Sequence, residues 1–131
     1  MSEIHLEAKE LRRSFRIGQN RIEVLRGVSI SVARGECTFL CGASGAGKTT
    51  LLYTLAGMEE PEGGTVRFEN QSLFEIGEAA RTRLRGDRMG FVFQGYFLLP
   101  ELTALENVAL PRMIGGAPDP AEAASLLERV G

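Results

Sequence analysis

The sequence has 131 residues, enough for one modest domain, and its net charge of −2 gives no electrostatic reason to expect nucleic-acid binding. Its longest apolar runs are far shorter than the roughly 20 residues that span a bilayer. The acidic, mixed stretch Met1 to Lys9 is unlike a signal peptide. We therefore expect a cytoplasmic protein without a nucleic-acid partner. The single histidine, His5, has no metal ligands near it in the sequence and is assigned no role.

The first third of the sequence predicts extended structure. Residues 4–8 alternate apolar with polar side chains, which indicates a strand, and residues 16–20 contain the Gly and Asn of a turn. In residues 28–32, valines and isoleucine alternate with serines, as in a half-buried antiparallel strand. Residues 33–36 should turn the chain. The mostly apolar run 37–41 does not alternate, which favours a strand buried on both faces of a parallel sheet.

The two cysteines, Cys37 and Cys41, fall in this last predicted strand. At strand rise their Cα atoms would lie roughly 13 Å apart. A disulfide needs Cα atoms within about 7 Å. We therefore expect two small, buried core residues rather than a bridge.

The middle of the sequence alternates helix and strand. Leu51, Leu52, Leu55 and Ala56 recur at helical spacing, and Gly57 is the expected helix end. A short strand should follow, with Val66 and Phe68 on one face. Residues 77–88 predict a helix that is broken by Gly86, and residues 89–94 predict a second buried strand that ends in a polar residue.

Two helices are predicted near the end of the sequence. Thr103 and Glu106 form a capping box for a helix through Leu110, which Pro111 should end or kink. After a loop at 115–118, Asp119 as N-cap and Pro120 at the first position open a last helix. Its apolar positions are Ala123, Leu126, Leu127 and Val130. The element order predicts an α/β fold with an appended antiparallel region.

A glycine-rich loop lies between the predicted strand 37–41 and the helix that follows. Residues 42–49 read G-A-S-G-A-G-K-T and fit the phosphate-binding pattern G-x-x-x-x-G-K-[ST], known as Walker A. Its glycines let the backbone N–H groups point inward as an anion nest, and the helix start adds a positive dipole end. Lys48 would face the β- and γ-phosphates, Thr49 would offer a hydroxyl to Mg²⁺, and Thr50 would donate to a phosphate oxygen. The predicted ATP-binding residues are Gly42, Ala43, Ser44, Gly45, Ala46, Gly47, Lys48, Thr49 and Thr50.

The run "GFVFQGYFLLPELTALENVALP", from Gly90 to Pro111, is more specific than the loop. With the antiparallel stretch before the loop, it resembles the ATP-binding subunits of ABC transporters. The stretch from Leu98 to Pro111 is similar to the branch that exports lipoproteins or macrolides, which also includes related cell-surface permease systems. The resemblance runs from Leu6 to Gly131 and implies a P-loop nucleoside triphosphatase core with an N-terminal antiparallel β subdomain and the start of a helical subdomain. The antiparallel subdomain would cover residues 1–36, the core 37–94 and the helical subdomain 95–131.

The resemblance also implies roles for residues outside the loop. Gln94 would reach Mg²⁺ and the attacking water as a Q-loop residue; on spacing alone it is an ordinary polar strand end. Phe15 would stack on adenine; an aromatic in such a hairpin is otherwise a core residue. The segment from Gly95 to Glu106 would face a transmembrane permease, with local core packing as the other interpretation of Tyr96, Phe97, Leu98 and Leu99. The arginines at 81, 83, 85 and 88 predict a solvated helix face, or else a contact to lipid headgroups or the partner.

Three elements of such an ATPase have no counterpart in these residues. No apolar run ends in Asp-Glu as Walker B, no Leu-Ser-Gly-Gly signature is present, and no histidine follows the loop as a switch residue. The chain therefore resembles the N-terminal portion of the domain, whose C-terminal portion is absent. We expect weak ATP binding and no turnover, because hydrolysis needs carboxylates that these residues do not supply. The predicted strands 37–41 and 89–94 should leave apolar surface exposed for want of sheet neighbours.

The leading hypothesis is a motor subunit of an ABC exporter for lipoproteins or hydrophobic substrates. It would bind ATP and Mg²⁺ at the cytoplasmic face of the inner or plasma membrane, pair with a permease, and form a dimer of ATP-binding subunits. The alternative is a non-catalytic nucleotide-binding module that binds a partner in its ATP state. A small P-loop kinase ranks last, because it lacks a candidate base and leaves the run from Gly90 to Pro111 unexplained.

Overall fold

The computed structural model describes residues 3–131, so Met1 and Ser2 of the predicted antiparallel subdomain lie outside the described residues. The chain divides into two compact units, Met1–Arg85 and Gly86–Gly131. The first unit carries the sheet and the glycine-rich loop, and the second carries two helices and the segment that contains Gln94.

The first unit begins with a long antiparallel hairpin. Strand β1, Ile4–Ile17, pairs with strand β2, Asn20–Ala33, across a two-residue turn within the predicted turn 16–20. Over residues 28–32 the apolar side chains are half-buried and the serines are exposed, as the alternation predicted. The turn predicted at 33–36 is also present.

Two further strands complete a sheet in the order β2-β1-β3-β4. Strand β3, Gly63–Phe68, runs antiparallel to β1, and the short strand β4, Gln71–Ser72, returns beside it. Val66 and Phe68 are buried on one face of β3, as predicted. The buried apolar residues of this unit come from the strands, from the helix after the loop and from the segment after β4: Ala8, Leu11, Leu25, Leu51, Leu55, Ala56, Val66, Phe68 and Leu73.

Helix α1, Lys48–Leu55, follows the glycine-rich loop and ends as predicted. Gly57 has a φ of +67°, a backbone conformation that glycine adopts without steric cost. The Gly57 and Met58 N–H groups donate to the carbonyls of Thr54 and Tyr53, at 3.0 and 2.9 Å. This pair of hydrogen bonds is a Schellman motif, which satisfies carbonyls at the helix end.

Helix α2, Glu78–Arg88, runs through Gly86, so the predicted break at that glycine is wrong. A single glycine lowers helix propensity by only about 1 kcal/mol relative to alanine, which the remaining residues of this helix outweigh. The prediction of a solvated arginine face also needs correction. Arg81 and Arg85 are half-buried, and their guanidinium groups donate to the carbonyls of Leu73 and Gly57 respectively.

The second unit contains helix α3, Ala104–Ile114, and helix α4, Pro120–Val130, which pack together. Both predicted starts are confirmed: the Thr103–Glu106 capping box is formed, and the Asp119 side chain accepts from the Glu122 N–H. Pro111 lies inside α3, which continues to Ile114 and so does not end there. Of the apolar positions predicted for α4, Ala123 is buried and Leu127 is half-buried, whereas Leu126 and Val130 are exposed.

The two predicted buried strands, 37–41 and 89–94, are absent from the structure as strands. Both segments are irregular, and Cys37 and Cys41 are exposed, so the prediction of two buried cysteines is wrong. Phe39 is 82% exposed and Val92 is fully exposed. A strand is defined by hydrogen bonds to neighbouring strands, and no strand of residues 3–131 pairs with either segment. Their apolar side chains therefore form the exposed apolar surface that the sequence predicted for strands without neighbours.

Candidate nucleotide site

The glycine-rich loop lies on the surface of the first unit and leads into α1, which begins at Lys48. Gly47 is the N-cap and has a φ of +94°. A Cβ on this residue would lie 2.6 Å from Cγ1 of Val24 and 3.2 Å from the Val24 carbonyl oxygen. Only glycine can therefore occupy this position without displacing β2. The loop is thus fixed against the hairpin at the point where the helix starts.

The Lys48 side chain folds back into the loop. Its Nζ donates to the carbonyl oxygens of Gly42 and Ala43, at 2.8 and 2.6 Å. The Ala43 carbonyl also accepts from the Ala46 N–H at 3.2 Å, which closes the turn. Since an ammonium group has three donors, these two carbonyls leave one N–H for a ligand. The loop therefore holds a positive charge at a defined position.

The start of α1 has no internal cap. Gly47 offers no side-chain hydrogen bond, and the first turn contains no acidic residue. Of the four helices in residues 3–131, each of the others has a glutamate in its first turn. The first amides of a helix lack intrahelical partners and attract anions. The N-terminus of α1 is therefore electrostatically suited to a phosphate group.

The two threonines after Lys48 differ in their surroundings. Thr49 is exposed in the first turn, whereas Thr50 is half-buried and its carbonyl accepts the Thr54 hydroxyl at 2.8 Å. No group of three or more His, Cys, Asp or Glu side chains within residues 3–131 is arranged to hold a metal ion. Mg²⁺ keeps several waters and binds substrate phosphates together with few protein oxygens, so one exposed hydroxyl beside Lys48 fits its donor set.

Phe15 lies in β1, opposite Ile22 of β2, and is half-buried. The guanidinium of Arg13, two residues earlier in the strand, lies over the ring at 5.2 Å from its centroid. A base that stacked on this ring without displacing Arg13 would therefore use the opposite face. Stacking of Phe15 on adenine remains a prediction.

A polar network lies beside Phe15. Ser14 is buried, and its hydroxyl donates to Glu62 at 2.8 Å. Arg21 donates from Nε to the Ser14 hydroxyl at 2.7 Å and from a terminal nitrogen to Glu62 at 2.8 Å. The hydrogen bond from Ser14, followed by the interactions with Arg21, holds the pKa of Glu62 below its ordinary value. The network joins both strands of the hairpin to the segment before β3.

Gln94 belongs to the second unit, where it is exposed in an irregular segment rather than at a strand end. The four apolar residues beyond it are exposed as well: Tyr96 by 90%, Phe97 by 73%, Leu98 by 65% and Leu99 by 45%. Local core packing, the alternative interpretation of this cluster, is therefore wrong for all four. The roles of Gln94 toward Mg²⁺ and of the cluster toward a permease remain predictions.

Sequence reasoning missed Asn107, which fixes the corner after this apolar cluster. Its Oδ1 accepts from the Leu99 N–H at 2.9 Å, and its two Nδ2 hydrogens are shared among the carbonyls of Leu99, Leu102 and Thr103, at 3.0 to 3.1 Å from the nitrogen. The sequence pattern did not point to Arg13 or Val24 either. Arg13 and Phe15 are two residues apart in a strand, a spacing that places both side chains on one face and could have indicated their contact. The contact of Val24 with Gly47 joins distant parts of the sequence and is visible only in the fold.

Comparisons with known proteins identify relatives of this chain. The family model described as "ABC transporter" matches residues 25–131. A lipoprotein-releasing system ATP-binding protein, LolD, from Geobacter metallireducens is 43% identical over 126 residues, covering 96% of this chain and 56% of the relative. The LolD protein of Myxococcus xanthus is 46% identical over 129 residues, covering 96% of this chain and 58% of the relative.

Solved structures agree with the sequence relatives. The dimeric post-hydrolysis structure of the ATP-binding cassette MJ0796, bound to ADP and Pi, matches with a TM-score of 0.81 at 33% identity. The match covers 90% of this chain and 52% of that chain. The chain therefore spans slightly more than half of the length of the relatives it matches.

These neighbours confirm the predicted α/β fold with its N-terminal antiparallel region. No helix within residues 3–131 has the length and apolar character to cross a membrane. The extent of the family match, together with the loop that precedes α1, confirms the resemblance drawn from the sequence. The chain belongs to the ABC transporter family.

Proposed function

We propose that the chain binds ATP with Mg²⁺ through the loop at 42–50, as one portion of the ATP-binding subunit of an ABC exporter. The observation that carries this proposal is the uncapped start of α1 beside the Lys48 ammonium, which two loop carbonyls hold in place. The relatives are named as lipoprotein-releasing ATP-binding proteins, which supports lipoproteins or other hydrophobic molecules as the transported substrates. Nucleotide bound to the MJ0796 cassette supports the choice of ligand.

Each residue of the loop has a distinct task in this proposal. Lys48 would neutralise charge on the β- and γ-phosphates with its remaining donor, while the first-turn amides of α1 would donate to phosphate oxygens. The exposed Thr49 hydroxyl would hold Mg²⁺, and Thr50 would donate to a phosphate oxygen. When bound, Mg²⁺ would shield the charge on the phosphates. Phe15 would stack on the adenine, and Gln94 would orient water near the γ-phosphate.

Hydrolysis is not expected from these residues alone. Orienting water and holding the metal's shell need carboxylates, and the sequence contains neither the Walker B acids nor the switch histidine. We therefore expect this chain to bind ATP weakly and to show no turnover. An ATPase rate close to that of a full-length homologue, from a sample of verified intact mass, would contradict this expectation.

The partner surface in this proposal is the segment from Gly95 to Glu106. Its exposed aromatic and leucine side chains form an apolar surface of the kind that marks interaction sites. A transmembrane permease would bind here, with the subunit on the cytoplasmic face of the membrane. The dimeric state of the neighbouring cassette structures supports a second ATP-binding subunit in the assembly.

The chain offers a matched test of the nucleotide site, because its only two lysines are Lys48 and Lys9. Lys9 lies in β1 and pairs with Glu7 at 2.9 Å. Hydrogen bonds to charged groups contribute about 1.5–3 kcal/mol, so Lys48→Ala should weaken ATP·Mg²⁺ binding roughly 10- to 150-fold in a calorimetric titration. Lys9→Ala should leave the affinity unchanged. Equal affinities for the two variants would refute the proposal.

A non-catalytic nucleotide-binding module is the second candidate, because the loop and its fixed Lys48 ammonium could hold phosphates whether or not hydrolysis follows. It would work without turnover and bind a partner in its ATP state. It predicts a soluble chain that melts cooperatively and has a measurable ATP affinity. Aggregation of the chain in the presence of saturating ATP would count against it.

A further inference from the structure

We infer that Arg13 is a positioning residue for the adenine platform: it covers one face of the Phe15 ring and leaves the opposite face for the base. This inference rests on the proposed function, since it assigns a role toward the same nucleotide. The starting observation is the guanidinium carbon of Arg13, 5.2 Å from the Phe15 ring centroid. Cation–π contacts of this kind form within about 6 Å.

The guanidinium is held in place by residues that follow α1. It donates to the carbonyl of Glu60 at 2.9 Å and to the carboxylate of Glu59 at 3.2 Å. The Arg13 side chain is only 27% exposed. With two terminal nitrogens engaged, the planar group cannot turn away from the ring without breaking both hydrogen bonds.

The segment that binds Arg13 is itself fixed at two points. The Glu59 N–H donates to the Tyr53 carbonyl at 3.3 Å, which attaches the segment to the end of α1. The Glu62 N–H donates to the Arg12 carbonyl at 2.8 Å, which attaches it to β1. Arg13 therefore links the aromatic ring to the same helix whose start carries Lys48. The ring's position is set relative to the phosphate loop within one compact unit.

The arrangement places the guanidinium over one face of the phenyl ring and would leave the opposite face for the purine. A ring that lies against a fixed cation is already ordered before the base binds. Binding of the base therefore loses less side-chain conformational entropy. Arg13 would not touch the nucleotide. Its loss should therefore weaken binding of the base and leave binding of the phosphates intact.

The test compares two ligands on the 131-residue chain: ATP·Mg²⁺ and inorganic tripolyphosphate with Mg²⁺, each by calorimetric titration. The ratio of the two affinities isolates the contribution of the adenosine group, whose base is the part that would contact Phe15. Phe15→Ala should lower this ratio roughly 5- to 150-fold, the range expected for base–aromatic stacking. Arg13→Met, which keeps an apolar stem, should lower it about two- to fivefold with unchanged tripolyphosphate affinity.

Arg16→Met is the matched control, because Arg16 is an exposed arginine next to Phe15 in the same strand. It should leave the ratio unchanged. Arg13→Lys, which keeps the charge but loses the planar fork, should give an intermediate ratio. A merely structural role for Arg13 predicts a parallel fall in both affinities, and that result would overturn the inference. So would an Arg13→Met ratio equal to that of the control, or no effect of Phe15→Ala. If the unmodified chain bound neither ligand, the proposed function itself would fail.

Discussion

Helices α1 and α3 both begin with backbone N–H groups that lack intrahelical partners, but only α3 satisfies such groups with its own side chains. In α3, the Thr103 side chain accepts from the Glu106 N–H, and the Glu106 carboxylate accepts from Thr103 in return. In α1, glycine occupies the cap, and no acid lies in the first turn. In α3, side chains of the helix start satisfy the backbone N–H groups, which contributes only to stability. The start of α1 leaves unsatisfied donors beside a lysine, which is how a helix start is kept available for an anion.

The largest effect should come from Gly47, where the open start of α1 meets the hairpin. Gly47→Ala places a Cβ 2.6 Å from Val24 Cγ1 at a positive φ, and such strain costs about 1–3 kcal/mol. We expect the melting temperature to fall and ATP affinity to decrease together. Val24→Ala in the same chain removes the clashing methyl and should restore part of both. Full stability of the single variant would show that the loop is not fixed against β2.

A second change would give α1 the acidic first turn that α3 has. Thr50→Glu places a carboxylate at the third helical position, which favours the helix itself but repels phosphate. We expect ATP affinity to fall at least about tenfold, or about 1.4 kcal/mol. Thr50→Gln is the control, since it has the same size without the charge, and it should lose less affinity. Equal losses in the two variants would contradict an electrostatic role for the open start.

The reverse change removes the cap of α3. Thr103→Ala should lower the stability of this helix by about 1 kcal/mol, because it leaves N-terminal amides unsatisfied. Chemical denaturation followed by circular dichroism measures the change. ATP affinity should stay the same, since the cap belongs to the second unit and has no place in the loop. A parallel loss of nucleotide binding would argue that the two helix starts do not have separate roles.

The smallest effect is the pH dependence of the α3 cap. Hydrogen bonds from the Thr103 backbone and then its side chain hold the pKa of Glu106 below the ordinary glutamate value of 4.5. A lowered folded-state pKa stabilises the fold above the unfolded-state value and loses that stabilisation as the pH falls through the folded-state value. The unmodified chain and Glu106→Gln should therefore differ in melting temperature at neutral pH, and this difference should vanish at acidic pH below 4.5. Thermal melts of both proteins from neutral pH down to about pH 3 measure the change. A difference that stayed constant over this range would show that the cap does not titrate.

Local rules predicted much of this fold. The capping box at Thr103, the Asp119–Pro120 start and the Gly57 helix end were all readable, because each depends on residues a few positions apart. Predictions that needed distant partners failed. The segments 37–41 and 89–94 have the composition of buried strands, but a strand exists only beside a neighbour that hydrogen-bonds to it.

The effect of Gly86 on helix α2 was overestimated. This glycine lowers helix propensity, yet it lies inside the helix, since propensity is a weak local preference that tertiary context overrides. Pro111 does not end α3, and the kink that it could cause there stays a prediction. In the candidate site, the sequence pattern identified the loop and its lysine. It did not identify Arg13 as a cover for Phe15, because the hydrogen bonds that hold the guanidinium come from residues 46 and 47 positions away.

The corner fixed by Asn107 has a consequence for how the apolar cluster would be recognised. One amide side chain accepts from one main-chain group and shares its two hydrogens among three others over residues 99–103, so this stretch has lost its conformational freedom already. A partner that binds Leu98 and Leu99 therefore has little ordering entropy to offset at the corner. Association can then proceed by rigid docking, and a change at Asn107 should slow complex formation without removing any side chain from the contact.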